Sequence, residues 1–330
     1  MKLIVVKSGV TVPEVEERHV EAVVEAARAA GLAVARPRNR EDEEAEIVDA
    51  EIAFGGVDPE LFVLAKRLRW IQSVGAGVDR YLRGPLVTSD VVMTSEKGLV
   101  GTQLAEQAFG LLLALTRGIA ISMRQQTWDA RIPIRHRSWE LGGRTAGLLA
   151  LGGTGAEIAR RAAAFGMRVI AVDPEPPSVP KEVESCWGTD RFLDMVGQSD
   201  VAVSGQSDVV FCSAPLTAET RNLFNAETFA AMKPDSILIN VSRGEIVEEQ
   251  ALLDALDSGH LRAAGLDVAP REPLPRESPL WDHPHVVITP HAAGASPFRG
   301  DRIVERFRRN LRHILASEPL EGIIDNVKGY

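Results

Sequence analysis

The chain contains only two cysteines among its 330 residues, and it lacks any long apolar run. Two cysteines provide neither a disulfide framework nor the spacing of a metal site, and Cys212, in an apolar segment, is interpreted as a small buried hydrophobic residue. The longest apolar run, near residues 108–115, is well short of the roughly 20 residues that cross a bilayer. The run at the start of the chain is too short for a signal peptide. These absences favour a cytoplasmic protein with no membrane partner.

Positive charge is also scarce. The chain has 37 Lys and Arg residues against 46 Asp and Glu residues, which gives a formal net charge of −9. An acidic chain has no field that attracts nucleic acid, so we expect no nucleic-acid partner. The basic segment at 299–312 has the spacing of one solvated helix face. An anionic substrate therefore requires positive charge that is placed locally.

What the sequence does contain is a regular alternation of short apolar runs and helical patterns. In the first hundred residues, strands are predicted at 3–6, 52–54, 70–73 and 91–94. One long helix is predicted over 101–127. The alternation then resumes, with strands predicted at 147–151, 168–172, 209–213, 236–241, 263–268 and 286–289 and a closing helix over 296–316. This alternation predicts an α/β fold with parallel sheets, and the length of the chain predicts two domains.

A glycine-rich turn follows the predicted strand at 147–151. The turn consists of Gly152, Gly153, Thr154 and Gly155 and leads into a helix. Glycines let the backbone approach a pyrophosphate, whose charge then lies on free N–H groups at the helix N-terminus. Asp173 follows Gly155 by 18 residues, where a carboxylate can bind the adenosine ribose hydroxyls and repel a 2′-phosphate. The turn therefore predicts a dinucleotide site, and Asp173 predicts that this site prefers NAD(H) to NADP(H).

Ala150 makes this fingerprint imperfect. It stands where the first glycine of the G-x-G-x-x-G pattern is expected. A strand–helix turn that binds no ligand is the alternative for the motif taken alone, and the affinity for the cofactor is left open.

Polar side chains follow three successive predicted strands in the second half of the chain. Arg243, Glu272 and His291 each lie just beyond the end of one of them. Ligands of open α/β sheets bind beyond the carboxyl ends of the strands, so these side chains can converge there. Histidine suits proton transfer because its ordinary pKa is near 6.5, and arginine suits a carboxylate substrate. Each residue alone has a structural explanation, whereas the joint pattern favours catalysis.

Around these residues the chain resembles the D-isomer-specific 2-hydroxyacid dehydrogenase family. The most distinctive segments are 241–252, 266–273 and 289–294. The resemblance spans essentially the whole chain. It implies two doubly wound parallel-sheet domains, a flavodoxin-like substrate domain (1–98 and 295–330) and an inserted Rossmann NAD-binding domain (99–294). It also implies an NAD(H)-dependent oxidoreductase that interconverts a 2-keto acid and a D-2-hydroxy acid, and a homodimer.

The resemblance implies a role for each residue of the trio. His291 would exchange a proton with the substrate oxygen. Glu272 would orient the imidazole and favour its protonated form. Arg243 would hold the substrate carboxylate and carbonyl oxygen, where negative charge develops.

Further residues are assigned by resemblance alone. Ala76 and Gly77 match the loop whose backbone N–H groups bind the substrate carboxylate. Asp267 matches the residue that receives the nicotinamide carboxamide. Three more positions match residues that touch the cofactor: Thr102, Pro215 and Thr220.

Several alternatives stay open. The H-x-H pair His283 and His285 has no third ligand cluster, so both are interpreted as loop residues and no metal is expected. The same fold also serves as an NAD-sensing regulatory binding protein, which can retain the trio. Formate or phosphite oxidation is a variant within the enzyme class. Glyoxylate, hydroxypyruvate and bulkier 2-keto acids share one carboxylate–carbonyl pair, so the sequence does not select the substrate.

A short duplication precedes one predicted strand. The tetrapeptide QSDV at 198–201 recurs at 206–209. The offset is too short for a repeat fold, so we interpret it as a local duplication that lengthens a loop.

Overall fold

The structure, a computed structural model, describes residues 1–197 and 206–330, which divide into two compact units. Unit 1 comprises Met1–Val100 and Ala295–Tyr330, and unit 2 comprises Gly101–Gly294. Each unit has its own sheet with a hydrophobic cluster on both faces. The predicted fold class, two doubly wound parallel-sheet domains, is confirmed.

The first segment of unit 1 alternates strands and helices. Its elements are β1 (Lys2–Val5), α1 (Glu17–Ala29), β2 (Ala33–Ala35), α2 (Arg40–Glu46), β3 (Ile52–Phe54), α3 (Pro59–Leu64), β4 (Trp70–Gln72) and β5 (Val92–Thr94). Asn39 and Asp58 cap α2 and α3, because their side chains accept hydrogen bonds from backbone N–H groups in the first turn.

Unit 2 begins with helices and then alternates. The opening helices are α4 (Gly101–Thr116), α5 (Ile119–Gln125) and α6 (Arg131–Arg137). The alternation comprises β6 (Thr145–Leu149), α7 (Gly153–Ala164), β7 (Arg168–Val172), β8 (Ser185–Trp187), α8 (Phe192–Val196), β9 (Val209–Cys212), α9 (Ala226–Ala231), β10 (Ser236–Asn240), α10 (Glu249–Asp257), β11 (Leu261–Leu266) and β12 (Val286–Ile288). The chain then returns to unit 1 with α11 (Arg299–Ala316) and β13 (Ile323–Ile324).

The strand order of each sheet shows where a ligand would bind. In unit 1 the order is β13-β5-β4-β3-β1-β2, parallel except that β13 runs antiparallel to β5. In unit 2 the order is β12-β11-β10-β9-β6-β7-β8, and all pairs are parallel. The unit 2 order reverses direction between β6 and β9. Ligands of such sheets bind beyond the carboxyl ends of the strands near that reversal.

The central strands of unit 2 are buried on both faces. Every residue of β6 and β10 is buried. Leu148 and Leu149 are adjacent in β6, yet they belong to different hydrophobic clusters because successive side chains of a strand point to opposite faces. Cys212 is fully buried, as predicted, and burial raises the pKa of its thiol to about 11.

The prediction of one long helix over 101–127 is wrong, because two helices occupy that segment. α4 ends at Thr116, and α5 begins at Ile119 with a bend of 67° between them. Gly118 lies in the break with φ of +71°, a left-handed conformation that interrupts a helix and that glycine adopts readily. The apolar stripe of α4 ends before the break, so the pattern that predicted the helix did not mark its end.

No single helix of the described residues is long and apolar enough to cross a membrane. The bent pair α4 and α5 passes the same criterion only when the two are joined, by length and composition alone.

Within the described residues, the sequence patterns also failed to predict three short strands and the antiparallel direction of one of them, β13. β2, β8 and β13 contain two or three residues each and stand at or near sheet edges. Such strands are too short for a recognisable alternation. The duplication at 198–201 lies outside the described residues, whereas its second copy leads directly into β9.

Candidate active site

His291 lies in a tight turn just after β12. Its backbone has φ of +51°, which costs a non-glycine residue energy and is typical of functional sites. The N–H group of His291 donates to the carbonyl oxygen of Asp267 at 2.7 Å and to that of Thr289 at 3.0 Å. These bonds hold the residue in its left-handed conformation.

The buried carboxylate of Asp267 completes the support of this turn. Only 1% of Asp267 is exposed. Its Oδ1 accepts hydrogen bonds from the Thr289 hydroxyl at 2.6 Å and the Ala292 N–H group at 3.0 Å, and its Oδ2 accepts one from the Ala293 N–H group at 2.9 Å. Gln107 on α4 donates to the Thr289 hydroxyl at 2.9 Å. The carboxylate therefore fixes the turn that presents His291.

The imidazole of His291 is paired with Glu272. The His291 Nδ1 atom lies 2.6 Å from Glu272 Oε2, and the two side chains are 49% and 37% exposed. The other carboxylate oxygen of Glu272 accepts a hydrogen bond from the Ala269 N–H group at 3.0 Å. Glu272 is thus held at both oxygens, and it leaves the Nε2 atom of His291 to face other groups.

The pKa values of the pair move in opposite directions. The hydrogen bond to Glu272 raises the pKa of His291, with the Glu272 charge adding to the effect while burial and the Arg243 charge oppose it. Burial works to raise the pKa of Glu272, but the hydrogen bonds from His291 and Ala269 and the charges of His291 and Arg243 leave it lowered. The arrangement therefore favours an imidazolium beside a carboxylate.

Arg243 is brought to the same edge of the sheet by the turn after β10. The next residue, Gly244, has no room for a side chain, because a Cβ atom there would lie 1.9 Å from the carbonyl carbon of Ala269. The Arg243 turn therefore packs directly against the loop that carries Glu272. The Arg243 charge acts on the pKa of both Glu272 and His291, so the structure brings the three predicted residues together.

The glycine-rich turn fits a dinucleotide pyrophosphate. Gly152 precedes α7, and a Cβ atom there would meet nothing within 4 Å, so the approach to the backbone is open. The first intrahelical bond joins Ala156 N to Gly152 O at 2.9 Å, which leaves the earlier N–H groups of the helix without an intrahelical acceptor. A Cβ atom at Gly155 would lie 2.2 Å from Ala150 O, so glycine is required there for close packing of helix and strand.

Ala150 adopts the conformation that its glycine-like position demands. Its φ is +74°, in the left-handed region that disfavours a side chain. The chain therefore keeps the backbone path of the glycine pattern despite the substitution.

Asp173 follows the end of β7, next to the glycine-rich turn. Its Oδ2 accepts a hydrogen bond from Leu151 N at 2.7 Å, and its Oδ1 accepts one from Glu175 N at 2.8 Å. The carboxylate is half-buried and is held in place by the backbone on both sides. It has further lone pairs for ribose hydroxyls.

Three other predicted cofactor residues lie in unit 2 as well. Thr102 is exposed in the first turn of α4, and a Cβ atom at the preceding Gly101 would lie 2.5 Å from Gly153 O. This close approach puts Thr102 beside the glycine-rich turn. Pro215 and Thr220 form one turn after β9, in which the Thr220 hydroxyl donates to Pro215 O at 2.7 Å.

Ala76 and Gly77 belong to unit 1, in the loop that follows β4. Both are half-buried. The loop is shaped by the Ser73 hydroxyl, which accepts a hydrogen bond from Gly75 N at 3.2 Å. The loop therefore lies at the carboxyl edge of the unit 1 sheet.

Across residues 1–197 and 206–330, no group of three or more His, Cys, Asp or Glu side chains is arranged to hold a metal ion. His283 Nε2 lies 3.2 Å from Asp257 Oδ1, and the rings of His283 and His285 are 5.8 Å apart.

Sequence reasoning missed the residues that support the trio. Asn240 binds the Arg243 turn, Thr289 and Gln107 support the His291 turn, and Gly244 permits the close approach to Ala269. An asparagine just before a turn is a known signal for a side chain that bonds its own backbone. Gln107 gives no such signal, because its partner is 182 residues away in sequence.

The chain matches a family model described as "D-isomer specific 2-hydroxyacid dehydrogenase, NAD binding domain" over residues 109–293, more than half of its length. It is 33% identical to a glyoxylate reductase of Korarchaeum cryptofilum, over 77% of this chain and 75% of that protein. It is also 33% identical to a D-3-phosphoglycerate dehydrogenase of Methanocaldococcus jannaschii over 76% of this chain, but it spans only about half the length of that relative (47%).

A solved structure is similar over the full chain. It is a D-isomer specific 2-hydroxyacid dehydrogenase from Xanthobacter autotrophicus Py2 in complex with NADPH and MES, with 29% identity and a TM-score of 0.79. The alignment covers 100% of this chain and 99% of that one.

Proposed function

The chain belongs to the D-isomer specific 2-hydroxyacid dehydrogenase family, and on that premise we propose that it is an NAD(H)-dependent oxidoreductase that interconverts a 2-keto acid and a D-2-hydroxy acid. The observation that carries the proposal is the hydrogen-bonded pair of His291 and Glu272, with the Arg243 turn packed against the Glu272 loop. A proton donor, its partner and a fixed cation are the groups that reduction of a keto acid needs.

In the proposed reaction, Arg243 binds the carboxylate and the carbonyl oxygen of the keto acid. Its fixed charge stabilises the negative charge that develops on that oxygen. His291, held as an imidazolium by Glu272, donates the proton to the same oxygen. In the reverse direction the neutral imidazole accepts that proton. The bound nicotinamide supplies or takes up the hydride.

The cofactor would be held by unit 2. The N–H groups of Gly153, Thr154 and Gly155 would bind the pyrophosphate, with Thr102, Gly152, Pro215 and Thr220 lining the site. Asp267 supports the His291 turn, and its contact with the nicotinamide carboxamide stays a prediction. Unit 1 (1–98 and 295–330) would contribute the substrate contacts, through the N–H groups of Ala76 and Gly77.

NAD(H) is proposed as the preferred cofactor because Asp173 presents a negative charge where a 2′-phosphate would lie. The similar Xanthobacter protein holds NADPH, so the preference needs its own test. Asp173→Ala is expected to lower the ratio of kcat/KM with NADH to kcat/KM with NADPH. An unchanged ratio would remove Asp173 from cofactor selection.

The substrate class proposed is a small 2-keto acid such as glyoxylate or hydroxypyruvate, in line with the similarity to a glyoxylate reductase. The test is a steady-state assay with NADH or NADPH and a panel that contains glyoxylate, hydroxypyruvate and bulkier 2-keto acids. Turnover of at least one member supports the proposal. Tight binding of NADH without turnover of any would overturn it in favour of an NAD-sensing binding protein, and oxidation of formate or phosphite alone would redirect it within the enzyme class.

A homodimer is also proposed, and one surface of unit 2 supports it. The helices α5 and α6 and the turn between them expose four large apolar side chains, which we call the α5–α6 face: Ile119, Met123, Trp128 and Ile132. Trp128 is 85% exposed. Apolar side chains grouped in this way on a surface are typical of protein–protein contacts. The cytoplasmic location stays a prediction.

A further inference from the structure

One buried side chain, that of Asn240, shapes the turn that carries Arg243. Asn240 is the last residue of β10 and is fully buried. Its Oδ1 accepts hydrogen bonds from the backbone N–H group of Ser242 at 3.0 Å and from the Ser242 hydroxyl at 2.9 Å. Its Nδ2 donates to the carbonyl oxygen of Arg243 at 2.9 Å. Both ends of the amide are therefore used to fold the chain back within three residues of the strand.

The same turn also supports the guanidinium group. Arg243 Nη1 donates to the carbonyl oxygen of Ser242 at 2.8 Å. Asn240 therefore fixes the Ser242 backbone that receives the guanidinium as well as the Arg243 carbonyl group. A shift of the Asn240 amide would move the backbone and the charged end of Arg243 together.

The turn is braced by the neighbouring strands of unit 2. The Asn240 carbonyl oxygen accepts a hydrogen bond from Asp267 N at 2.9 Å, and Asp267 in turn supports the His291 turn. On the other side, the Cys212 sulfur lies 3.2 Å from the Ser242 hydroxyl oxygen. The Asn240 amide thus has rigid neighbours and little freedom to adjust.

We propose that Asn240 is a positioning residue that sets the place of the Arg243 guanidinium for the binding of the substrate carboxylate. The inference rests on the proposed role of Arg243. Because Asn240 is fully buried, it acts through Arg243. Asn240 therefore affects the binding of the substrate, whereas Asp267 supports the turn of His291, the proposed proton donor.

The test is Asn240→Asp, which changes one atom of the buried group. The variant keeps the acceptor for Ser242 but replaces the Nδ2 donor by an oxygen that faces the Arg243 carbonyl. With glyoxylate and NADH at pH 8, kcat/KM should fall about a hundredfold, the effect of a misplacement of about 1 Å, and the loss should lie mainly in the KM for glyoxylate. A protonated carboxyl can donate to the carbonyl again, so the ratio of variant to wild-type kcat/KM should rise as the pH is lowered. The dissociation constant for NADH should stay at the wild-type value.

Asn225→Asp is the matched control. Asn225 caps α9 in the same unit, with its Oδ1 accepting a hydrogen bond from Thr228 N at 3.1 Å. Asp caps a helix as well as Asn does, so this variant should keep the wild-type KM and a pH-independent ratio. If Asn240→Asp does not fold, as judged by the absence of a cooperative transition in urea denaturation, Ser242→Ala takes its place. It removes the hydroxyl bond to Asn240, together with the contact of that hydroxyl with the Cys212 sulfur, and keeps the backbone bond. The KM for glyoxylate should rise about fivefold, the effect of one ordinary hydrogen bond.

The possible results distinguish the positioning role of Asn240 from the proposed enzymatic function. Absence of turnover in the wild type would overturn the proposed function. Wild-type turnover with an unchanged KM and a pH-independent ratio in Asn240→Asp, or an unchanged KM in its replacement Ser242→Ala, would overturn the positioning role alone. The same holds if Asn240→Asp loses NADH affinity and kcat together without a change in KM, because that pattern indicates a general structural defect.

Discussion

At the scale of single residues, the site combines a strained backbone with a charge-stabilised side chain. His291 keeps a φ of +51° because the Asp267 carboxylate accepts hydrogen bonds from two N–H groups and one hydroxyl of the same turn. Its imidazole is then oriented by Glu272 from the Nδ1 side. The backbone bonds of the turn determine the position of the His291 ring, and the Glu272 carboxylate raises its pKa.

Glu272→Gln separates these two effects. The pKa of His291 is raised chiefly by the Glu272 hydrogen bond, and the amide removes the charge while it keeps an acceptor. In the proposed keto-acid reduction, activity would require protonated His291 and would fall as the pH rises through the pKa of His291. This fall should move to lower pH in Glu272→Gln, and the rate of the reverse oxidation should rise at correspondingly lower pH. Profiles of kcat/KM against pH in both directions measure this shift, and profiles that superimpose on the wild type would show that Glu272 does not raise the pKa of His291.

Ala150→Gly tests the strain in the glycine-rich turn. Removal of the side chain at φ of +74° relieves roughly 1–2 kcal/mol, partly offset by the greater freedom of glycine in the unfolded chain, so the free energy of unfolding should rise by about 0.5–1 kcal/mol. The control Ala114→Gly, in the helix α4, should lower it by about 1 kcal/mol. Urea denaturation measures both variants. A loss of stability in Ala150→Gly would show that Ala150 is not strained.

Residue identity predicted the trio but not its supports. Arg243, Glu272 and His291 are visible because each follows an apolar strand. The bonds of Asn240 to its own turn and of Asp267 to the His291 turn depend on backbone geometry that a one-dimensional pattern does not contain. The 2.6 Å contact of His291 and Glu272 joins residues that are 19 positions apart, so only the sheet order could bring them together.

At the scale of elements, burial decided which parts could be predicted. The long strands of unit 2 are buried on both faces and form continuous apolar runs, so the sequence located them to within a few residues. The break between α4 and α5 escaped prediction, because it depends on the left-handed conformation of Gly118. A glycine near the end of a helical pattern could have signalled it.

Gly118→Ala tests that explanation of the break. A Cβ atom at Gly118 would lie 2.6 Å from Ile134 Cγ2, and φ is +71°. The free energy of unfolding should fall by about 1–2 kcal/mol, the cost of a left-handed conformation with a side chain. At Gly110, in the middle of α4, a Cβ atom meets nothing within 4 Å, so Gly110→Ala should raise the free energy by about 0.4–1 kcal/mol. Equal effects of the two substitutions in urea denaturation would refute the explanation.

At the scale of the whole molecule, unit 1 is assembled from the two ends of the chain. Phe307 of α11 stacks on Trp70 of β4, with ring centroids 5.4 Å apart, and contacts Phe54 of β3 edge-on at 5.5 Å. Arg299 forms an ion pair with the buried carboxylate of Glu96. The length of the chain predicted two domains, and only the family resemblance implied that one is inserted into the other.

The α5–α6 face leads to a prediction about assembly. Light scattering at micromolar concentration should give about twice the 35.8 kDa of one chain, because the apolar side chains of that face are expected to be covered by a second copy. The double variant Met123→Ser and Trp128→Ser should shift the mass toward one chain. Val63→Ser, which changes an exposed apolar residue of α3, should leave it unchanged. A wild type that remains a monomer would exclude the dimer.

The role of His291 as proton donor is tested by the turnover of His291→Ala with NADH and the best 2-keto acid of the panel. We predict that kcat falls by about 10²–10⁴-fold, the contribution of a positioned proton donor, while the dissociation constant for NADH, measured in parallel on the same sample, stays at the wild-type value. A variant that binds NADH and turns over at the wild-type rate would exclude this role, because the proton would then come from another group.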